Sequence, residues 1–151
     1  MKTLLLSAAF ISLLSIGCSK DSDDGKSKNE LITSASWKFS DAGVDSDRNG
    51  DINTSFASSV NDCLKDNLIV FVSNGTGTVN ESANVCPNAS QSTPFTWSFA
   101  NNESDLTISG NAIAGISGTF KINTLTESML RLSRDTLVMG FNVSFVVELS
   151  H

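Results

Sequence analysis

Four stretches of this chain place an apolar or aromatic side chain at every second position, and that period commits them to extended strand. Phe95, Trp97 and Phe99 alternate with Thr96, Ser98 and Ala100, and Leu106 and Ile108 alternate with Asp105, Thr107 and Ser109. Phe120 and Ile122 alternate with Lys121 and Asn123, and Phe141, Val143, Phe145 and Val147 alternate with Asn142, Ser144 and Glu148; Leu130 and Leu132 straddle Arg131 in the same way. Successive strand side chains point to opposite faces, so each stretch buries one face and wets the other. Asn74-Gly75, Asn101-Asn102 and Gly110-Asn111 fall between runs at the spacing of antiparallel hairpins. Leu68–Val72 is apolar on both faces, so its outer face needs a cover, which a short helical stretch near 55–65 carrying Cys63 would supply. Runs near 35–45, 68–73, 76–82, 94–100, 104–110, 116–124, 128–133 and 138–149 make about eight strands, enough to close a small antiparallel up-and-down β-barrel. A β-sandwich is the alternative. Either all-β architecture takes Trp37, Phe39, Trp97 and the Phe141–Phe145 run as core, and none of these aromatics is nominated as a ligand contact.

The first residues read differently. Lys2 precedes an apolar, Ser-interrupted run from Leu4 to Ile16, too short to span a bilayer, which needs about 20 apolar residues, and suited to a secretory signal over residues 1–17. Ile16-Gly17-Cys18 resembles the bacterial lipobox, with Ser15 where Leu is usual; the resemblance implies that Cys18 becomes the first mature residue and carries a lipid. A secreted soluble protein cleaved elsewhere is the alternative. Residues 19–29 contain no apolar side chain, so 18–29 reads as a lipidated, flexible acidic tether and 30–151 as the folded domain. The acidic start of the tether resembles the export signal that places some Gram-negative lipoproteins on the outer leaflet. Those features imply an outer-membrane, lipid-anchored protein at the cell surface or on the periplasmic face, the tether being otherwise a plain solvated linker.

Cys63 and Cys86 then remain as an even pair in an exported chain, and are expected to form a disulfide. Two thiols without CxxC spacing and without His partners do not make a zinc site. Ten Lys and Arg against 16 Asp and Glu give a formal charge of −6, which excludes a nucleic-acid reader, since a phosphate backbone is held by clustered cations. The sole His is His151, so a Ser nucleophile has no internal base, and neither G-x-S-x-G nor HExxH occurs. The expectation is a protein that is not an enzyme.

The order of motifs from Leu31 to Leu149 resembles the lipocalin-like domains of bacterial lipoproteins. It runs through a short apolar lead-in to Trp37 (SASWKF), an Asp/Gly-rich first loop (DSDRNGD), the Cys63–Asn67 stretch (CLKDN), a β run into an Asn-Gly turn (LIVFVSNGTGT), Cys86, and the Trp97 strand (FTWSF). Ala35 stands where such lead-ins favour Gly. The resemblance implies an eight-stranded meander barrel, and says more of fold than of function.

One loop carries potential chemistry. In Asp45-Ser46-Asp47-Arg48-Asn49-Gly50-Asp51-Ile52, oxygen-bearing side chains occupy places one, three and five of an EF-hand-type loop, with Gly at six and a branched apolar residue at eight. Calcium takes six to eight hard oxygens, and this spacing can converge them. Asp45, Asp47, Asn49 and the Asp51 carbonyl form the candidate set; Phe56 holds the twelfth place, so Asp62 or Asp66 would have to supply the missing carboxylate. A solvated loop on an acidic surface is the alternative, and no cofactor is otherwise required. The functional expectation is a non-enzymatic anchored protein binding a small apolar ligand at the barrel mouth or an envelope macromolecule at its loops. A filled barrel serving as a structural module is one rival, and a surface glycan binder is another.

Overall fold

The computed structural model describes residues 25–113 and 116–151, so the signal segment and Cys18 lie outside the described residues. A short helix, α1 (Lys28–Thr33), leads into β1 (Lys38–Asp45) and the two-residue β2 (Thr54–Ser55). A 3₁₀ turn (Ala57–Ser59) and α2 (Asp62–Lys65) follow, then β3 (Leu68–Phe71), β4 (Thr76–Asn80), β5 (Ser92–Ala100), β6 (Asp105–Ile113), β7 (Ile116–Leu125), β8 (Met129–Val138) and β9 (Phe141–Ser150). All nine strands lie in one antiparallel sheet, ordered β2-β1-β9-β8-β7-β6-β5-β4-β3. Among the described residues there is no second sheet to pack against it, which sets the sandwich aside. Eight of the strands follow the expected meander; β2 is the addition.

No continuous ladder joins β1 to β3. The two edges meet at one bridge, where Trp37 and Ile69 exchange both backbone hydrogen bonds at 2.8 Å. Beyond it the 56–67 segment fills the gap: Phe56 N–H donates to the Ala42 carbonyl and its ring stacks on Phe145 at 5.7 Å. The expected helical cover of β3 is thus two short pieces, and Leu68 and Val70 are only half-buried.

The meander gives the barrel two unlike ends. At one, α1 inserts Leu31 and Ile32, and the Trp37 indole N–H donates to the Ile32 carbonyl at 2.8 Å. Lys28 reaches the Glu103 carbonyl at 2.8 Å, Lys26 pairs with Glu127, and the His151 ring lies 3.8 Å from that of Trp37. This end is closed. The tether expected through Asn29 therefore stops earlier, because Ser27 and Glu30 form a capping box that starts α1. The interior above α1 is packed with aromatics in edge-on contact, Phe71 to Phe95 at 5.3 Å, Phe71 to Trp97 at 5.5 Å and Trp97 to Phe99 at 5.4 Å.

Two boundaries differ from the pattern-based expectation. Gly110-Asn111 is not a turn: Gly110 has φ +98°, a value that suits glycine, and β6 runs on through it across a register irregularity. The run ending near 133 extends to Val138, and the hairpin turns at Met139-Gly140, with φ +51° and +84°.

Cys63 and Cys86 form a disulfide with Cα atoms 5.1 Å apart, tying α2 to the loop between β4 and β5. Closing a 23-residue separation is expected to contribute about 3 kcal/mol. Cys63→Ser with Cys86→Ser should lower the urea-derived unfolding free energy by about that amount; a loss under about 0.5 kcal/mol would mean the bridge constrains little.

Candidate functional site

The open end carries the loop 46–53, the loop 81–91, the β6–β7 hairpin and the β8–β9 hairpin. On β8 the inward positions run Leu130, Leu132, Arg134, Thr136, Val138, since Leu130 and Leu132 belong to the core and strand side chains alternate. Leu130 and Leu132 are buried, whereas β8 is exposed from Arg134 onward; on the facing β9 burial continues to Val143, opposite Thr136. The Arg134 guanidinium lies 5.1 Å from the Phe120 ring centroid and donates to the Ser117 carbonyl at 3.1 Å. Arg134 over Phe120 is the floor of the mouth.

Above that floor β8 and β9 continue as a paired ribbon, with Thr136 opposite Val143 and Val138 opposite Phe141. Phe141 is 74% exposed, which corrects its assignment to the core: it has the inward parity, but it lies at the end of the ribbon, beyond the buried Val143. Met139 at the tip is 95% exposed, and Leu137 and Val138 are exposed too. This apolar hairpin is the element that alternation alone misplaced. Trp37 and Trp97, by contrast, are both buried, so neither offers the exposed aromatic face that a glycan binder needs.

The 46–53 loop turns out to be a strap over the outer wall of β9, β8 and β7. Arg48 pairs with Asp135 on β8, and Asp51 pairs with Arg131, which also holds Glu148 at 2.9 Å. Ile52 sits on Gly43, where a Cβ would collide with it, and Gly50 sits against Asn123 on β7. Gly43 is the register partner of Val146, whose side chain has outward parity and yet is 0% exposed. Covering that outward valine is what the strap does. Between strap and wall lies a polar cavity of about 370 Å³ lined by Asp45, Asp47, Arg48, Lys121, Asp135 and Ser144, among others.

This geometry accounts for the loop's oxygens. Asp45, 0% exposed, accepts from Arg48 N–H at 2.6 Å with one carboxylate oxygen and from Gly50 N–H at 2.7 Å with the other. Asn49 accepts from Asp51 N–H at 2.8 Å and donates to Asp47 at 3.2 Å. Phe56, at the twelfth place, packs in the barrel seam, and Asp62 bonds Lys65 at 2.7 Å. Asp66 is engaged elsewhere, one carboxylate oxygen accepting from Asn84 N–H at 3.0 Å in the loop after β4. Of the five candidate residues, Asp45, Asp47 and Asn49 lie together in the strap, whereas Asp51 turns to Arg131 and Asp66 to Asn84. Among the described residues, no three His, Cys, Asp or Glu side chains form a group that could hold a metal.

Residues 34–132, about two thirds of the chain, match the lipocalin-like domain family. The chain belongs to the lipocalin-like domain family. That membership agrees with the single curled sheet, and lipocalin-like domains are in general small-ligand-binding β folds and not enzymes. No curated protein matches it. The match ends within β8, so this lipocalin-like domain carries its exposed apolar hairpin tip, Leu137 to Phe141, outside the matched segment.

Burial works against ionisation of Asp45, but hydrogen bonds from the backbone N–H groups of Gly50, Arg48 and Asn49 outweigh it and hold the carboxyl below the usual range. A depressed folded pKa stabilises the native state above the unfolded value, near 4, and that contribution is lost as pH falls through the folded value. Asp45→Asn should accordingly be less stable than wild type by urea unfolding at pH 7, with the gap narrowing as pH falls below about 4. A gap independent of pH would show that the charge on Asp45 does not hold the strap.

Proposed function

We propose that this lipocalin-like domain is a non-enzymatic, lipid-anchored envelope protein, held by lipidated Cys18 in the outer membrane of a Gram-negative bacterium, that binds an apolar or amphipathic small ligand at its open end. The observation that supports this most is the Val138–Phe141 pair, which has the inward parity above Arg134 and yet is exposed, Phe141 at 74%. An apolar chain laid there would cover Phe141 and Val138, gaining roughly 25 cal/mol per Å² of apolar surface removed from water, while Arg134 would meet a polar or anionic head. The filled interior below the floor limits the ligand to the mouth. The anchored reading rests on the lipobox resemblance, and the folded end nearest the tether is the closed one, which directs the mouth away from the anchor.

A second reading is favoured by Leu137 and Met139, which are exposed but do not face the mouth: the whole hairpin tip would then seat in an envelope macromolecule. One set of measurements separates them. A fluorescent fatty-acid probe should bind the purified protein saturably, be displaced by unlabelled fatty acid, and lose about tenfold or more in affinity in Val138→Ser/Phe141→Ser, with Leu137→Ser/Met139→Ser unaffected. No saturable binding by the wild type would remove the small-ligand reading. In the same cells Cys18→Ala should leave the membrane fraction; its retention after a salt wash would remove the anchor.

A further inference from the structure

Away from mouth and strap, a corner built by the disulfide leaves two acceptors without donors. Asn67 is 4% exposed; its carboxamide nitrogen donates to Glu81 at 2.9 Å, and its oxygen is buried with no partner. The contact with Glu81 fixes that orientation, because the flipped amide would set oxygen against carboxylate. Next to it, one Asp66 oxygen accepts from Asn84 N–H at 3.0 Å while the other is buried with no partner. Glu81 completes the corner by accepting from Cys86 N–H at 2.8 Å, and Cys86 is itself bonded to Cys63 on α2. The loop 81–91 is thereby drawn over residues 66 and 67.

The charges are as unbalanced as the hydrogen bonds. Among the described residues the ion pairs are Lys26–Glu127, Arg48–Asp135, Lys65–Asp62 and Arg131 with Asp51 and Glu148, and none of them involves Asp66 or Glu81. Native structures seldom leave buried acceptors unmatched, and two adjacent ones beside two unpaired carboxylates ask for a positive partner with no hydrogen-bond geometry of its own.

We propose that Asp66, Asn67 and Glu81 form a site for one hard divalent cation of calcium's size, which clamps the disulfide loop to the start of β3. Carboxylate and carboxamide oxygens suit calcium, and an irregular loop accommodates its flexible coordination better than the strict octahedron of magnesium. Few protein ligands imply weak binding, with a Kd of about 10⁻⁴ to 10⁻³ M.

The test uses the purified full chain. Calcium titration by calorimetry should show one site in that range, and about 10 mM calcium should raise the Tm by several degrees, with magnesium giving much less. Asp66→Asn should abolish both effects; Asp47→Ala, which alters only the strap, should leave them intact. Absence of saturable binding by the wild type would mean that water satisfies the two oxygens, and the proposal fails. It fails equally if binding survives Asp66→Asn or disappears with Asp47→Ala. Should Asp66→Asn not fold, hydrogen exchange on the wild type decides: calcium slowing the Asn84 and Cys86 amides supports the site, and slowing confined to Arg48 and Gly50 overturns it.

Discussion

The Trp37–Ile69 bridge is the contact on which the rest of this barrel depends. A nine-stranded sheet with free edges would expose two rows of unpaired backbone groups, a standing risk of edge-to-edge association. Here the last strand in the order is brought round to the residue before β1, and two backbone hydrogen bonds pin the edges together. The same Trp37 ring is fully buried, its N–H caps an α1 carbonyl, and His151 lies against it. One residue thus joins helix, sheet edge and C-terminus, and its size explains why the closed end is filled while the other is free to open.

From that asymmetry the remaining features follow. Strands anchored at the closed end can run on past the core, as β8 and β9 do, and their tip, Leu137 to Phe141, meets water although it is apolar. The wall needs help where Val146 points outward, and the strap gives it, held by Arg48 to Asp135 and Asp51 to Arg131. The irregular 56–67 segment and the loop 81–91 occupy the side where β1 and β3 part, and the disulfide and the Asp66–Asn67–Glu81 corner hold them there.

Much of this was legible in the sequence because period-two alternation is a backbone property that tertiary context seldom overrides. It located β5, β7 and the core positions Phe95, Trp97, Leu106, Ile108, Phe120, Leu130 and Leu132. Asn74-Gly75 and Asn101-Asn102 do turn the chain, and the cysteine pair needed only parity and export. Alternation fails where a strand leaves its core: Phe141 has the right parity and the wrong surroundings, because pattern tells which face a side chain takes but not whether that face is covered. Met139 at positive φ gives no turn signal, which is why β8 was drawn too short. Val146 interrupts the alternation of β9, and the strap that buries it comes from a loop about a hundred residues away. The spacing of Asp45, Asp47 and Asn49 matches a calcium loop, and in the fold the backbone N–H groups of Arg48 and Gly50 each bond one Asp45 oxygen, which spacing alone does not show. Ser27 and Glu30 did signal a helix start, in a segment whose polarity suggested only a tether.

Native-state hydrogen exchange at Trp37 and Ile69 tests the closed barrel most directly. If the single bridge holds the sheet shut, both amides exchange only through global unfolding, with an opening free energy equal to that measured by denaturant and to that of the β8–β9 ladder. Exchange of Trp37 and Ile69 through a much cheaper opening, while β8 and β9 stay protected, would mean that the sheet is open at β1 and β3 and that its two ends are not distinguished in the way described.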